Sequence, residues 1–552
     1  MMQIINKLNS IFLFLIIFTA TINGYSQDQT VGLFLNEAEA YEGYTLFTPN
    51  VSTKTYLIDM NGLLVHKWEH EYTPSQSVYL LDNGNILRAT SIPSGASSSA
   101  GGFQEVAWDG TIIWEYNFDE QHHDIEPLPN GNVLIIANET KTRAEVIEAG
   151  RDPDLLGTNL QITVLFEIAN TDTGSAIVWE WHLWDHLIQD FDPDKNNYGN
   201  VGQHPELMDI NYMERLGSDW NHTNSVDYNT EFDQIVLSNR ALNDIWVIDH
   251  STTTSEAAGH SGGNSGMGGD ILYRWGNPVS YRAGDNDDQM LFEQHDASWI
   301  ESGNPGSGNI LIFNNGLGRP EGAYSTVDEI TPPVDSFGNY SLQIGSAFAP
   351  ISQSWIYQAS NPTDFYSARY SGAQRLPNGN TLICSGVGGK FFEVTAANNI
   401  VWEYINPVDS DEPVYQGESV SNNDVYRCYR YAADHPGLVG KDLTPGDPIE
   451  LYPSSLESMK HKEIQNFALY NNYPNPFNPS TVIEYRLSVS SNVILDISNS
   501  RGQKIITLVN KNQKAGIYQV TFNATDVSSG IYFYRLNTGN GIVLTKKMLV
   551  LK

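Results

Sequence analysis

Short runs of alternating apolar and polar residues, closed by Asn-Gly turns, fill the chain from about Gly32 to Thr444, and an apolar period of 3.6 residues is nearly absent. This pattern predicts many strands and few helices. One turn recurs: Leu128-Pro129-Asn130-Gly131-Asn132 is echoed by Leu81-Asp82-Asn83-Gly84-Asn85 and Leu376-Pro377-Asn378-Gly379-Asn380, each running into an aliphatic or β-branched strand. Seven residues before a turn Asn stand His123 (from Asn130), His222 (from Asn229), Gln76 (from Asn83) and Ser371 (from Asn378), so polar groups recur at one structural address. His295 precedes a longer turn, Ser302 to Asn309, before the strand Ile310-Leu311-Ile312-Phe313, a looser instance of the same address.

A second repeat is a tryptophan closing each strand-like run: Trp68, Trp114, the pair Trp179 and Trp181, Trp275 and Trp402. The 46 residues from Trp68 to Trp114 match the roughly 40–50 residues of a four-stranded propeller blade. Units are expected near 76–117, 121–185, 219–276, 293–358 and 370–406, with a sixth closed by joining residues 32–70 to the late strand 425–430. The expected fold is all-β: a six-bladed β-propeller in which one address per blade maps to one ring around the axis, so that His123, His222 and His295 converge. Insertions at 145–160, 186–218, 251–269 and 319–352 are expected on the face that builds or covers the site. The glycine-rich stretch Gly259 to Gly269 lacks a Gly-Lys-Ser/Thr ending and a strand-to-helix setting, so it reads as a flexible loop rather than a phosphate loop. His122, His182, His186 and His260 read as surface or packing residues, and Gln76 and Ser371 as channel-facing groups that do not react.

After Thr444 the texture changes. Strands at Thr481 to Leu487 and Val493 to Ile497, then a turn-rich stretch leading to Gly530-Ile531-Tyr532-Phe533-Tyr534-Arg535-Leu536, predict a small Ig-like β-sandwich. From Lys460 onward eleven Lys/Arg face four Asp/Glu, the reverse of an acidic body, as expected of a separate module. At the other end, Met1 to Gln27 has a short polar start with Lys7, then the apolar run Ile11 to Phe18 and small residues, the layout of a secretory signal. The expected organisation is a signal peptide at 1–27, a propeller at 28–444, a linker at 445–464 and a C-terminal module at 465–552.

The formal net charge of −35 sets the chain against nucleic acid and anionic membrane as partners. Two cysteines, Cys384 and Cys428, cannot build a four-thiolate zinc site, and export leaves a disulfide or two buried thiols equally open. Neither cysteine stands in the Cys-x-Pro-x-Arg pattern a formylglycine sulfatase requires.

The C-terminal segment, with its Tyr473-Pro474-Asn475-Pro476-Phe477-Asn478-Pro479 opening, its Gly530 to Leu536 strand and its basic ending Lys546 to Lys552, is similar to the C-terminal sorting domain of the type IX secretion system of Bacteroidetes. This resemblance implies the type IX machinery as a partner, passage through the outer membrane, and a secreted or cell-surface product. The body, through Gln121-His122-His123-Asp124, Trp220-Asn221-His222-Thr223-Asn224-Ser225, Ser238-Asn239-Arg240, Gln294-His295-Asp296-Ala297 and the Ser371 to Ile383 segment, resembles the bacterial arylsulfate sulfotransferases. That family are six-bladed propellers that move a sulfuryl group from a phenolic sulfate ester to another phenol. The resemblance implies His295 as the nucleophile, passing through a sulfohistidine, and His123, His222, Arg240 and Asn224 in sulfate-binding and proton-handling positions. Asn314 departs from the pattern, since many members carry Asp there.

The residue chemistry is compatible with that reading. Neutral imidazole is a competent nucleophile, and a phenol, with a pKa of ~10, leaves readily. Arg240 would supply a fixed positive fork, Asn224 and His222 further donors, and His123 a proton to the leaving phenolate. Asp124 and Asp296 would orient imidazoles or satisfy local amides. No nucleotide or other cofactor is expected, and no metal is assigned, because Arg240 beside the three histidines would repel a cation. The competing readings are a metal-dependent hydrolase and a non-catalytic surface propeller that binds glycans or proteins.

Overall fold

The computed structural model describes residues 29–91, 100–213, 218–452, 468–470, 472, 474–487, 490–514, 516–539 and 543–552. The expected signal peptide and most of the expected linker lie outside them. The protein is all-β, and it divides into two compact units, one ending at Leu451 and the other spanning Tyr452–Lys552.

The large unit is a series of four-stranded antiparallel meanders. Three are separate sheets: Thr223–Asn229 to Ile271–Trp275, His295–Trp299 to Trp355–Tyr357, and Gly372–Arg375 to Ile400–Ile405. Two more share one seven-stranded sheet through Ile112–Pro127, whose first part pairs with Ala100–Val106 and whose last part pairs with Val133–Thr142. The remaining meander is Val425–Tyr431 beside Tyr44–Pro49, Lys54–Ile58 and Leu64–Glu69, so the late strand pairs with an early one. Gly32–Asn36 corrects the expectation that all of 32–70 joins this sheet. It pairs instead with Ile400–Ile405, covering an edge that would otherwise stay open, and Asn36 donates its amide to the Met60 carbonyl at 3.0 Å.

The repeated tryptophans explain how the meanders hold together. Trp68 donates its indole N–H to the Ala107 carbonyl, Trp114 to Ser175, Trp179 to Thr252, Trp275 to the Pro350 carbonyl, Trp355 to the Ala396 carbonyl, and Trp402 to the Met60 carbonyl. Each bond runs from one meander to the next in chain order, and the last returns to the first. A buried indole needs such a partner for its one donor.

The glycine-rich stretch is a loop with backbone hydrogen bonds of its own. Gly268 N donates to the Gly262 carbonyl and Gly269 N to the Gly259 carbonyl, both at 3.0 Å, and Ser265 N donates to Asp249 at 2.8 Å. Gly268, at φ +61°, is required: a Cβ there would meet the Gly259 carbonyl oxygen at 2.3 Å. Cys384 and Cys428 are free, buried thiols.

The small unit has two antiparallel sheets, one built on Ser480–Leu487 and Gly516–Asn523, the other on Ser491–Asn499, Lys504–Gln513, Gly530–Thr538 and Val543–Val550. Alternate residues of both, such as Ile483 and Tyr485, Val493 and Leu495, and Tyr534 and Leu536, bury into one core.

Candidate active site

The strand at the repeated address is broken in a consistent way. His123 (φ 59°) lies where Ile112–Pro127 changes partner, with a register shift between Gln121 and Ile125. His222 (φ 47°) immediately precedes Thr223–Asn229, which is bulged between Thr223 and Ser225. His295 opens His295–Trp299, where Asp296 (φ 52°) carries the bulge between His295 and Ala297. Left-handed backbone at non-glycine positions is uncommon and collects at functional sites, and a bulge re-aims the side chain beside it.

These side chains converge. The His123 and His222 rings meet edge to face, with centroids 4.8 Å apart. Arg240, at the start of the Arg240–Leu242 turn, is tied to this address because its backbone N–H donates to the His222 carbonyl at 3.1 Å. Burial first, then the Arg240 charge, holds the His295 imidazole well below the usual histidine range, and His222 and Arg427 act in the same direction. His123 is likewise pushed well below that range, by burial and then by His222, His122, His295 and Arg240.

The hydrogen bonds fix which nitrogen of His295 carries the proton. Asn315 spends its amide N–H groups on the Ser367 and Tyr370 carbonyls at 2.7 and 3.1 Å, so its carbonyl oxygen must accept, and His295 Nδ1, 2.8 Å away, is the donor. The lone pair is therefore on Nε2, which meets only a long contact from the Tyr370 backbone N–H at 3.3 Å. His222 is oriented by a short hydrogen bond from Nδ1 to the Asp219 carboxylate, which leaves its Nε2 for the site. His122, expected as a packing residue, is buried with Nδ1 2.8 Å from His123 Nδ1. Its pKa falls to about 4, chiefly through burial.

Arg240 pairs through Nη2 with Glu293. Its Nε–H is buried and has no hydrogen-bond partner among the described residues. Such an orphaned donor is costly and suits an anion. Asn224, expected as a donor to the sulfuryl group, is fully buried, and its amide donates to the Gln294 carbonyl at 2.8 Å while its own backbone carbonyl accepts from Tyr426. These bonds tie neighbouring strands together.

Asp124 and Asp296 do not orient imidazoles. Both grip Arg427, Asp124 at 2.8 Å and Asp296 at 3.0 Å, and they also accept from the Ile125, Val226 and Ala373 amides. Asn314 bonds Asp328 and the Phe292 amide. Gln76 carries left-handed backbone (φ 122°), and Ser371 donates to Ser367. A cavity of about 250 Å³ lies beside Arg427 and Asp296, lined also by Glu126, Asp227 and Glu301, and it includes none of the three histidines or Arg240. Burial raises Asp227 to about 7 and Asp296 to about 6.

The chain matches the arylsulfotransferase family over residues 27–430. It belongs to that family. Residues 471–551 match the secretion-system C-terminal sorting domain, which marks the protein for secretion and cell-surface association. Among characterised proteins it is 21% identical over 383 residues to arylsulfate sulfotransferase AssT of Escherichia coli O6:H1 strain CFT073, covering 62% of this chain and 59% of that one. The chain thus spans under two thirds of that relative's length. Similar solved structures include a protein of unknown function from Bacteroides caccae (11% identity, 70% of this chain and 98% of that one, TM-score 0.36) and a streptogramin B lyase (12%, 70% and 86%, TM-score 0.33).

Of the residues around the three histidines, Asp219, Glu293, Asn315 and Tyr370 were not predicted from sequence. They come from loops or neighbouring meanders, at no spacing that repeats.

Proposed function

We propose that this arylsulfotransferase-family protein is a nucleotide-independent aryl-sulfate sulfotransferase, exported by the type IX route, that carries the sulfuryl group on His295. The observation that carries this reading is the buried, neutral His295, its Nε2 unprotonated and met only by the long Tyr370 N–H contact, in the electrostatic reach of an arginine with an unpartnered buried N–H. On this reading the body is a six-bladed propeller, 28–444, with the ring of histidines at its axis, and the C-terminal module is an Ig-like sandwich.

In the first half-reaction, His295 Nε2 attacks sulfur, the S–O bond to the phenol breaks, and the phenolate takes a proton from His222, which enters the step as the imidazolium paired with Asp219. In the second, an acceptor phenol gives its proton back to His222 and its oxygen displaces His295 from sulfur. Arg240 holds the sulfuryl oxygens, whose charge the site must stabilise in line with attack. Asn224 acts as a positioning residue through the strand it ties. Arg240 beside the imidazoles works against a metal-dependent hydrolase at this address, since its charge repels a cation.

The test is steady-state transfer between a chromogenic aryl sulfate and a phenol. Parallel double-reciprocal plots and a rate unchanged by chelator are expected, whereas turnover without acceptor would indicate a hydrolase and no turnover a binding protein.

Arg240→Lys keeps the charge but loses the planar fork, so kcat should fall on the order of 10². Turnover within a factor of about two of the parent would remove Arg240 from the site. The pH profile follows from the depressed His295 pKa. Protonation disables the nucleophile, so the acid limb of kcat/KM should fall well below the ~6.5 of a free histidine, with activity retained at about pH 6. An acid limb centred near 6.5 would mean that the limiting group is exposed, not His295.

A further inference from the structure

His186, His260 and Asp270, all outside the candidate active site, meet at one point. His186 follows the edge strand Gly174–His182, whereas His260 lies in the glycine-rich stretch of the next meander and Asp270 directly follows it. Asp270 Oδ1 is 2.8 Å from Nδ1 of His186 and also 2.8 Å from Nδ1 of His260, and the three ligand atoms all lie within 4.8 Å of one another.

The hydrogen-bond count at His186 is the informative feature. The ring is fully buried and stacked on Trp181, with 5.6 Å between centroids and 6° between planes. Its Nε2 lies 2.8 Å from the Ala257 carbonyl oxygen, which can only accept, so Nε2 carries the proton. The neutral ring then turns the Nδ1 lone pair on a carboxylate oxygen, two acceptors face to face, unless a cation sits between them. A ring N–H held by a backbone carbonyl is the usual outer partner of a metal-bound histidine, fixing its tautomer and orientation.

We propose that His186, His260 and Asp270 bind a structural Zn²⁺ ion that fastens the glycine-rich segment to the end of the neighbouring meander's edge strand. Two imidazoles and a carboxylate suit zinc, whereas Ca²⁺ and Mg²⁺ prefer oxygen donors throughout. Tetrahedral zinc with bonds of ~2.0–2.2 Å needs ligand atoms ~3.3 Å apart, about half an ångström wider than the two Asp270–histidine contacts of 2.8 Å. His260, with a side chain 61% exposed, can supply that movement. The second Asp270 oxygen or a solvent molecule completes the shell. The fastening adds to two existing links across the same boundary, Trp181 to the Gly269 carbonyl at 2.7 Å and Trp179 to Thr252 at 3.2 Å.

The experiment uses the purified full chain, titrated with Zn²⁺ after chelation, alongside His260→Ala. The exposed position of His260 means that this variant should fold without metal. The parent should take up about one Zn²⁺ with a Kd below ~1 µM, with two imidazole nitrogens and oxygen in its X-ray absorption spectrum. Chelation should lower its Tm by a few degrees and leave that of His260→Ala unmoved, and affinity in the variant should drop by ~10² or more. Sulfuryl transfer at ambient temperature should be the same with and without zinc, so this result and the function proposed above stand or fall separately. Zinc held no tighter than ~10 µM, or held equally by His260→Ala, would overturn the assignment and leave a proton shared between His186 and Asp270 in its place.

Discussion

His295→Asn is expected to abolish sulfuryl transfer, with kcat lower by on the order of 10⁴ or more, about 5.5 kcal/mol of barrier, as for other enzymes stripped of their nucleophile. The substitution is selective. An asparagine amide nitrogen can take the place of Nδ1 and keep the bond to the Asn315 carbonyl oxygen, while nothing replaces Nε2. Mixing the parent with donor alone should release about one phenol per active site in a burst, and added acceptor should then sustain turnover. The variant should show neither phase, yet unfold at nearly the parent's denaturant midpoint. A variant that keeps the burst would move the nucleophile elsewhere, with His123 the next group to test, since it too is held neutral.

The legible part of the site was the part encoded by repetition. The turn asparagines mark the strands' outer ends, and counting back from Asn130 and Asn229 reaches His123 and His222 because strands of similar length carry the chain from turn to bulge. The tryptophans were legible for the same reason, since each solves the same packing problem between neighbouring meanders. Residues that serve the site from outside the repeat left no such trace. Asp219 and Tyr370 lie in connections and Glu293 and Asn315 flank strands; Glu293 and Tyr370 reach their partners from neighbouring meanders, while Asp219 and Asn315 are local but stand at no repeated spacing. At 259–269 glycine serves close backbone approach, as Gly268 does against Gly259. Gly32–Asn36 misled because an alternating run specifies a strand but not its partner, and the exposed edge of Ile400–Ile405 was invisible in one dimension.

Arg427 is the least legible residue with the largest structural consequence. It sits in the late strand Val425–Tyr431 and reaches Asp124 and Asp296 from two other meanders, with all three side chains buried. Those carboxylates in turn accept from the Val226 and Ala373 amides of two more, so one guanidinium neutralises the hub at which five meanders meet. Arg427→Met, close in length but uncharged, should cost about 3–5 kcal/mol, because it strands two buried carboxylates rather than deleting a pair. Adding Asp124→Asn and Asp296→Asn should recover much of that loss, since a neutral amide tolerates burial and its carbonyl still accepts from the strands. The pH dependence has a definite sign. Burial already raises Asp296 to about 6, and Arg427 opposes that rise, so removing the arginine lifts the folded-state pKa further above the unfolded value. A carboxyl raised in this way favours the fold at low pH and loses that contribution as pH climbs through the folded pKa. The deficit of Arg427→Met should therefore be largest at about pH 8 and shrink towards about pH 5, as read from urea midpoints at each pH. A deficit independent of pH, or a triple variant no more stable than the single one, would mean that Arg427 acts through packing against Tyr426 rather than through its charge.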